Sequence, residues 1–172
     1  MKNKILIYVI MLLCFSSYSQ NKKKVCQNVY LIKNEVLEDF KKPDSILFLI
    51  QSNLEYDKYV ENLSSKIKKF ADKSNLKSTT HIETGKHSNY EMIKNNYKQQ
   101  YVAIIFFGFN QRVEQHSSGD PKNRRVYDEA NYQLIDMWSG KILFNKILEI
   151  RSIYYSKNSN SLAKAIILEL TD

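Results

Sequence analysis

The sequence has 172 residues, 43% of them hydrophobic, and a formal net charge of +8 at pH 7. A chain of this size suits one domain, and its apolar content is enough for a buried core, which excludes an intrinsically disordered protein. An excess of basic over acidic residues favours anionic partners in general. Apart from the run Lys22–Lys24, however, the lysines are scattered, so we interpret most of the charge as a solvated surface.

The first twenty residues have the three-part layout of a secretory signal peptide. Two lysines precede an uncharged apolar run, Ile5–Phe15, and small or polar residues follow it. Ser17 and Ser19 supply the two small residues that signal peptidase requires before its cleavage site. We therefore predict cleavage after Ser19, with a signal peptide over 1–19 and a single α/β domain over 20–172.

Two alternatives to this cleavage remain. A retained membrane anchor needs about 20 apolar residues, whereas Ile5–Phe15 is much shorter. A lipoprotein would carry lipid on Cys14, but Leu13 is bulkier than the small residue that lipid processing requires there. After cleavage Cys26 is the one cysteine left. No internal disulfide can then form, and we expect Cys26 to be a small buried hydrophobe.

The first predicted element of the mature chain is an amino-terminal helix over residues 25–40. Its apolar residues recur at spacings of three or four, namely Val25, Val29, Ile32, Val36 and Phe40. Pro43 ends this helix because proline cannot continue one. The apolar run Ser45–Ile50 predicts a strand covered on both faces, and an amphipathic helix follows over about 56–74.

The middle of the chain predicts a second crossover between parallel strands. Lys77–Thr84 is rich in β-branched but polar residues, which is typical of an edge strand. Ser88–Glu91 forms a capping box that begins a helix running to about Gln99. Tyr101–Phe109 is apolar throughout and predicts another interior strand. The polar stretch Asn110–Arg125 is the longest expected loop.

The last part of the chain predicts a β-hairpin and a closing helix. Residues 126–138 and 141–155 are strand-like and flank Ser139–Gly140, a two-residue hairpin connection. A helix then begins after Ser159 or Asn160. The predicted fold class is α/β (α+β): a mixed sheet from β-α-β-α-β, followed by an antiparallel β-hairpin and a closing helix, with an extra amino-terminal helix.

One sequence motif near the carboxyl terminus resembles that of a known family. Tyr132–Asp136 is followed after two residues by Ser139–Phe144, and Ser161–Ile167 begins the closing helix. This pattern resembles small bacterial cell-envelope domains of the TolB amino-terminal and curli-secretion-lipoprotein type. Locally, Asp136 can accept hydrogen bonds from the turn amides. The resemblance covers residues 45–170 and implies an envelope-associated interaction or assembly domain without a catalytic role. It transfers no site residues.

Two candidate binding sites follow from this arrangement of elements. If 45–50 and 101–109 are neighbouring parallel strands, the loops after them meet where open α/β sheets bind ligands. A small-ligand crevice there would be lined by Ser52, Asn53, Asn110, Gln111 and Arg112. On the edge strand, His81 and Glu83 share a face, and His87 follows in the next turn. These groups can bind a metal such as zinc. Ordinary polar turns and an exposed edge strand are the alternatives.

The sequence shows no recognisable catalytic motif. Gly85–Ser88 is partly similar to a phosphate-binding loop. The first glycine of that motif is absent, however, and His87 occupies the position that requires a serine or threonine, so we exclude this motif. We therefore expect a non-enzymatic exported protein without a cofactor, in the periplasm or at the cell surface. Its expected partner is an envelope protein and not nucleic acid, and no transmembrane span is expected after cleavage. The alternative function is an extracytoplasmic small-ligand or metal-binding protein.

Overall fold

The computed structural model describes residues 22–52, 57–84, 90–107, 112–115, 124–152 and 155–171. The predicted signal peptide and its cleavage site lie outside these ranges. The elements in chain order are β1 (Lys23–Cys26), β2 (Val29–Val36), β3 (Ser45–Ser52), α1 (Asp57–Lys73), β4 (Lys77–Thr84), α2 (Tyr90–Asn96), β5 (Tyr101–Phe107), β6 (Arg112–Gln115), β7 (Arg124–Asp136), β8 (Ile142–Ser152) and α3 (Tyr155–Thr171).

The strands form one mixed sheet in the order β1-β2-β8-β7-β5-β3-β4, with β6 paired to β7. Strand β3 pairs in parallel with β4 and β5, and the other pairings are antiparallel. A mixed α+β class is therefore confirmed. The predicted β-α-β-α-β order corresponds to β3, α1, β4, α2 and β5, and β4 lies at one edge of the sheet.

The predicted amino-terminal helix over 25–40 is wrong. The chain there forms two strands, β1 and β2, which pair with each other and place β2 against β8. Val29 and Leu31 are buried in the core, but the second half of β2, Lys33–Val36, is exposed. The pairing with β8 shifts between Leu31 and Lys33. The helix-like spacing is coincidental, because it joins Val25 of β1, the buried Val29 of β2 and the exposed Val36, whereas the two buried residues of β2, Val29 and Leu31, are two residues apart.

Three predicted boundaries also need correction. The expected loop Asn110–Arg125 contains β6 and the beginning of β7, because a short polar segment can still pair at the edge of a long strand. The hairpin connection is longer than the two residues Ser139–Gly140, since β7 ends at Asp136 and β8 begins at Ile142. The closing helix begins at Tyr155, ahead of the expected Ser159 or Asn160.

Helices cover the two faces of the sheet unequally. The main core lies on the face of α1 and α3, where Phe48, Tyr132 and Phe144 are fully buried. On the opposite face, a smaller cluster surrounds Ile93 of α2. Its other buried members are Leu47, Leu49, Val102, Ile135 and Met137. Burial on both faces explains why β3 and β5 read as continuous apolar runs. In the described part of the chain, no helix has the length and hydropathy needed to cross a membrane.

Candidate functional site

The register of the strands places two rows of side chains on the sheet face that carries α2. Successive side chains of a strand point to opposite faces, so directly paired residues on neighbouring strands share one face. The upper row contains Glu83, Gln51, Phe106, Asn131, Ile147 and Lys33. The lower row contains His81, Leu49, Ile104, Gln133, Asn145 and Glu35. Both rows lie near the carboxyl ends of the parallel strands β3 and β5.

A cavity of about 270 Å³ lies over these rows beside α2. Its described lining consists of Gln51, Tyr90, Ile93, Ile104, Phe106, Asn131 and Gln133. Three of these side chains are amides, two are aromatic rings and two are aliphatic. None of them carries a charge. The cavity is therefore a mixed polar and apolar surface of the kind that ligand pockets use.

Several amide atoms around the cavity are buried. Gln51 donates from Nε2 to Oε2 of Glu83 at 3.0 Å. The Oδ1 atoms of Asn131 and Asn145 are buried, and within the described residues neither has a hydrogen-bond partner. Asn145 does donate from Nδ2 to the Glu35 carboxylate at 3.4 Å. A buried acceptor without a donor is unfavourable, and of these two residues Asn131 belongs to the described lining of the cavity.

The residues of the predicted metal site are partly visible. His81 and Glu83 lie on the same face of β4, as the two-residue period requires, whereas His87 lies outside the described residues. The ring of His81 lies 5.7 Å from that of Tyr97. The pKa of the Tyr97 hydroxyl is raised, mainly by burial and to a smaller extent by the nearby Glu83 carboxylate. Across the ranges that the structure covers, no group of three His, Cys, Asp or Glu residues is arranged to hold a metal ion. The metal site stays a prediction.

The residues of the predicted ligand crevice are also only partly described. β3 and β5 are neighbouring parallel strands, as expected. Ser52 is fully buried at the end of β3, and its Oγ has no hydrogen-bond partner among the described residues. Arg112 begins β6. Asn53, Asn110 and Gln111 lie outside the described ranges, so the crevice stays a prediction as well.

The polar residues of β7 are not among the candidate site residues expected from the sequence. Ala130, Tyr132 and Leu134 are buried against the helices, and the alternate residues Asn131 and Gln133 face the cavity. This alternation was present in the sequence and could have identified both amides. The sequence pattern does not reveal how β7 pairs with β5 and β8. That pairing places Asn131 beside Phe106 and Gln133 beside Asn145.

Asp128 of β7 is a buried polar group that was likewise not expected from the sequence. Only 7% of the residue is exposed. Burial raises the pKa of its carboxyl, and the backbone N–H of Glu129, which donates to Oδ1 at 2.9 Å, partly opposes that shift. Burial and, after it, the Asp128 carboxylate also raise the pKa of the Tyr59 hydroxyl. Both groups therefore stay uncharged over a wider pH range than in water.

A group of exposed apolar side chains lies at the other end of the sheet. The exposed fractions are 54% for Val36, 58% for Leu37, 78% for Trp138 and 38% for Ile142. The backbone N–H of Leu37 donates to the carbonyl oxygen of Leu143 at 2.8 Å, which holds the end of β2 beside the start of β8. Trp138 lies in the connection between β7 and β8. We call these four residues the hairpin-end patch.

Comparison with known proteins reveals similarity at the level of structure. No family model and no curated protein matches the chain. The PelC dodecamer from Paraburkholderia phytofirmans matches with 13% identity and a TM-score of 0.52, covering 83% of this chain and 96% of that one. This likeness shows a shared fold.

Two further solved structures match at lower TM-scores. Lipoprotein GNA1162 from Neisseria meningitidis has 15% identity and a TM-score of 0.46, and the match covers 74% of this chain and 94% of that one. TolB from Acinetobacter baumannii has 15% identity and a TM-score of 0.41, with 82% of this chain and 31% of that one covered. The resemblance expected from the sequence is thus confirmed as a weak one.

Proposed function

We propose that this chain is an exported, non-enzymatic protein of the cell envelope that acts as an assembly module, and that copies of the chain associate through the hairpin-end patch. The observation that carries this proposal is the exposure of Val36, Leu37, Trp138 and Ile142 together at one end of the sheet. These residues come from the end of β2, the connection between β7 and β8, and the start of β8, which lie side by side, and apolar side chains exposed together on a small protein can mark an interaction surface.

The charges beside the patch favour a second copy of the same chain as the partner. Lys141 and Glu38 form an exposed ion pair, with Nζ and Oε1 2.7 Å apart. In a symmetric contact each copy presents the same surface, and because Lys141 and Glu38 neutralise each other within each copy, the border of the patch has no unpaired charge from these two residues to repel a second copy. Opposite charges bordering an apolar centre are typical of protein interfaces.

The structural comparison supports the same reading. The matched PelC structure is a dodecamer, so this fold is compatible with an assembly of identical chains. Export is proposed from the amino-terminal leader over 1–19. The non-enzymatic role is proposed because the sequence contains no recognisable catalytic motif.

Light scattering after size-exclusion chromatography tests the assembly. We expect the mature chain, residues 20–172, to form oligomers at micromolar concentrations. A double substitution of Trp138→Ser and Leu37→Ser removes the two most exposed side chains of the hairpin-end patch, and we expect at least a tenfold weaker association, about 1.4 kcal/mol. Trp138 is the one tryptophan of the chain, so its emission should shift to shorter wavelength on association.

The matched control is Lys68→Ser, which removes a long exposed side chain from α1. Its association should equal that of the unmodified protein. A monomer at every concentration would contradict the proposal, and so would an oligomer that both variants leave intact. Circular dichroism should show that the double variant keeps its fold, because both side chains are largely exposed.

A further inference from the structure

The cavity beside α2 has a chemistry that the assembly role does not use. We propose that it binds a neutral polyhydroxylated ligand, a single sugar ring. The inference goes beyond the proposed assembly and does not depend on it, because the cavity and the hairpin-end patch are different surfaces. It is carried by the lining of the cavity, by a buried acceptor in its wall and by its volume.

The polar part of the lining matches hydroxyl groups. Gln51, Asn131 and Gln133 contribute amides, which both donate and accept hydrogen bonds, as a hydroxyl does. No charged side chain lies in the described lining. Just outside it, the Glu83 carboxylate accepts from Gln51, and Lys94 lies over the Tyr90 ring. Because both signs of charge are nearby, the surroundings favour neither an anion nor a cation.

The apolar part of the lining matches the C–H faces of a sugar ring. Tyr90 and Phe106 contribute aromatic rings, and Ile93 and Ile104 contribute aliphatic surface. The Tyr90 hydroxyl donates to the carbonyl oxygen of Met137 at 3.0 Å, which holds its ring in place. Pockets that combine apolar walls with a few positioned polar groups are those that bind small molecules.

The wall of the cavity also contains an acceptor that lacks a donor. Oδ1 of Asn131 is buried and has no hydrogen-bond partner among the described residues. Because this oxygen is shielded from solvent as it stands, a ligand hydroxyl would supply the missing donor once the Asn131 amide turns toward the cavity. The volume of about 270 Å³ lies just under the range of about 300–1,000 Å³ that is usual for ligand pockets. It therefore suits one ring better than a chain of rings.

A nuclear magnetic resonance titration tests the proposal on the mature chain. The probes are D-glucose, D-galactose and N-acetyl-D-glucosamine, each added to ¹⁵N-labelled protein up to about 50 mM, a concentration that saturates a site with a Kd of about 1 mM. We expect at least one sugar to shift the backbone amide signals of residues 104–106 and 131–133. D-glucuronate, which carries a carboxylate, should bind more weakly than D-glucose.

Two substitutions test the amides directly. Asn131→Leu and Gln133→Leu keep the approximate side-chain volume and remove the hydrogen bonds, so each should weaken sugar binding about tenfold. Asn95→Leu is the matched control because Asn95 is an exposed amide of α2 outside the lining. Its affinity for the sugar should be unchanged.

Three results would overturn the inference. They are no signal change with any of the three sugars, changes confined to residues away from the cavity, and unchanged affinity in both leucine variants. If a leucine variant does not fold, the titration of the unmodified protein still decides, and Phe106→Leu provides a milder change in the wall. Light scattering in the same samples keeps a failure of this inference separate from a failure of the assembly.

Discussion

Glu149 of β8 holds together two cations from distant parts of the chain. Its carboxylate lies 2.5 Å from Nζ of Lys22 and 2.6 Å from Nε of Arg151. Burial by itself would raise the pKa of this carboxyl, but the two hydrogen-bonded cations outweigh it and hold the pKa below its ordinary value. The Arg151 guanidinium also lies 4.1 Å from the centre of the Tyr30 ring. One carboxylate therefore connects β8 to the residue that precedes β1.

Replacing this carboxylate should destabilise the protein in a pH-dependent way. A carboxyl whose pKa is lowered by folding stabilises the folded state above its ordinary pKa of 4.5, and that contribution disappears as the pH falls through the lower folded-state value. We expect Glu149→Gln to cost about 1–2 kcal/mol at pH 7, since Lys22 and Arg151 are partly exposed. Urea unfolding at pH 7 and pH 3 measures the difference.

The control for this change is Glu35→Gln. Glu35 also pairs with a lysine, Lys33, but both side chains are 45% exposed, and exposed pairs contribute little to stability. Glu35→Gln should therefore change the free energy of unfolding by less than about 1 kcal/mol. A loss from Glu149→Gln that is the same at pH 3 and pH 7 would contradict the role of the carboxylate charge.

At the scale of elements, the connection between β7 and β8 is determined by its own residues. Asp136 Oδ1 accepts from the backbone N–H groups of Trp138 and Ser139 at 2.8 and 3.2 Å. Gly140 has φ +71° and donates to the carbonyl oxygen of Asp136 at 2.8 Å. The role of the aspartate was expected from the sequence, because turn chemistry is local. The positive φ suits glycine, which has no Cβ.

Gly140→Ala should strain this turn. A left-handed backbone conformation costs a residue with a Cβ about 1–2 kcal/mol. The new Cβ would also lie 3.2 Å from the hydroxyl oxygen of Tyr90. We expect the free energy of unfolding to fall by about 1–2 kcal/mol, as measured by thermal unfolding.

Two comparisons make the Gly140 result specific. Ser139→Ala changes the neighbouring residue and removes one exposed hydrogen bond, from the Lys141 N–H to the Ser139 Oγ at 3.3 Å, so we expect an effect of about 0.5 kcal/mol. Gly140→Asn should lose less than Gly140→Ala, since asparagine tolerates a left-handed backbone. If Gly140→Ala is as stable as the unmodified protein, the backbone at this position does not need glycine.

Elements were predicted correctly where residues within the same segment determine them, and wrongly where a distant strand does. Helix α1 was expected over about 56–74 and spans Asp57–Lys73, because its amphipathic stripe repeats within one segment. Strand β2 was mistaken for a helix because its identity depends on β8. Val29 pairs with Ile150, a residue far along the chain. No local pattern contains that pairing.

At the scale of the whole molecule, the amino-terminal strands complete the core. Val29 and Leu31 of β2 belong to the same buried cluster as Phe48 of β3 and Ile166 of α3. Lys146 of β8 is buried and ion-paired with Glu169 of α3. The predicted mature domain therefore includes β1 and β2 as part of its single main core, although the family resemblance covers only residues 45–170.

The proposed export predicts the mass of the native protein. We expect mass spectrometry of protein from the envelope fraction to find residues 20–172, because Ser19 precedes the predicted cleavage site. Ser19→Leu should block cleavage and retain residues 1–19, since the peptidase accepts only a small residue there. Cys14→Ser should leave the mature mass unchanged. Finding Met1 still attached in a cytosolic pool would refute export, and lipid on Cys14 would establish the lipoprotein alternative.

Sequence alone was enough for features that arise from nearby residues: the doubly covered strands β3 and β5, the amphipathic α1 and the Asp136 turn. The tertiary structure decided that residues 29–36 form a strand, that Gln51, Asn131 and Gln133 line one cavity, and that Trp138 and Leu37 are exposed together. The physical reason is that strand pairing and solvent exposure depend on partners far away in the chain, which no spacing within one segment can reveal.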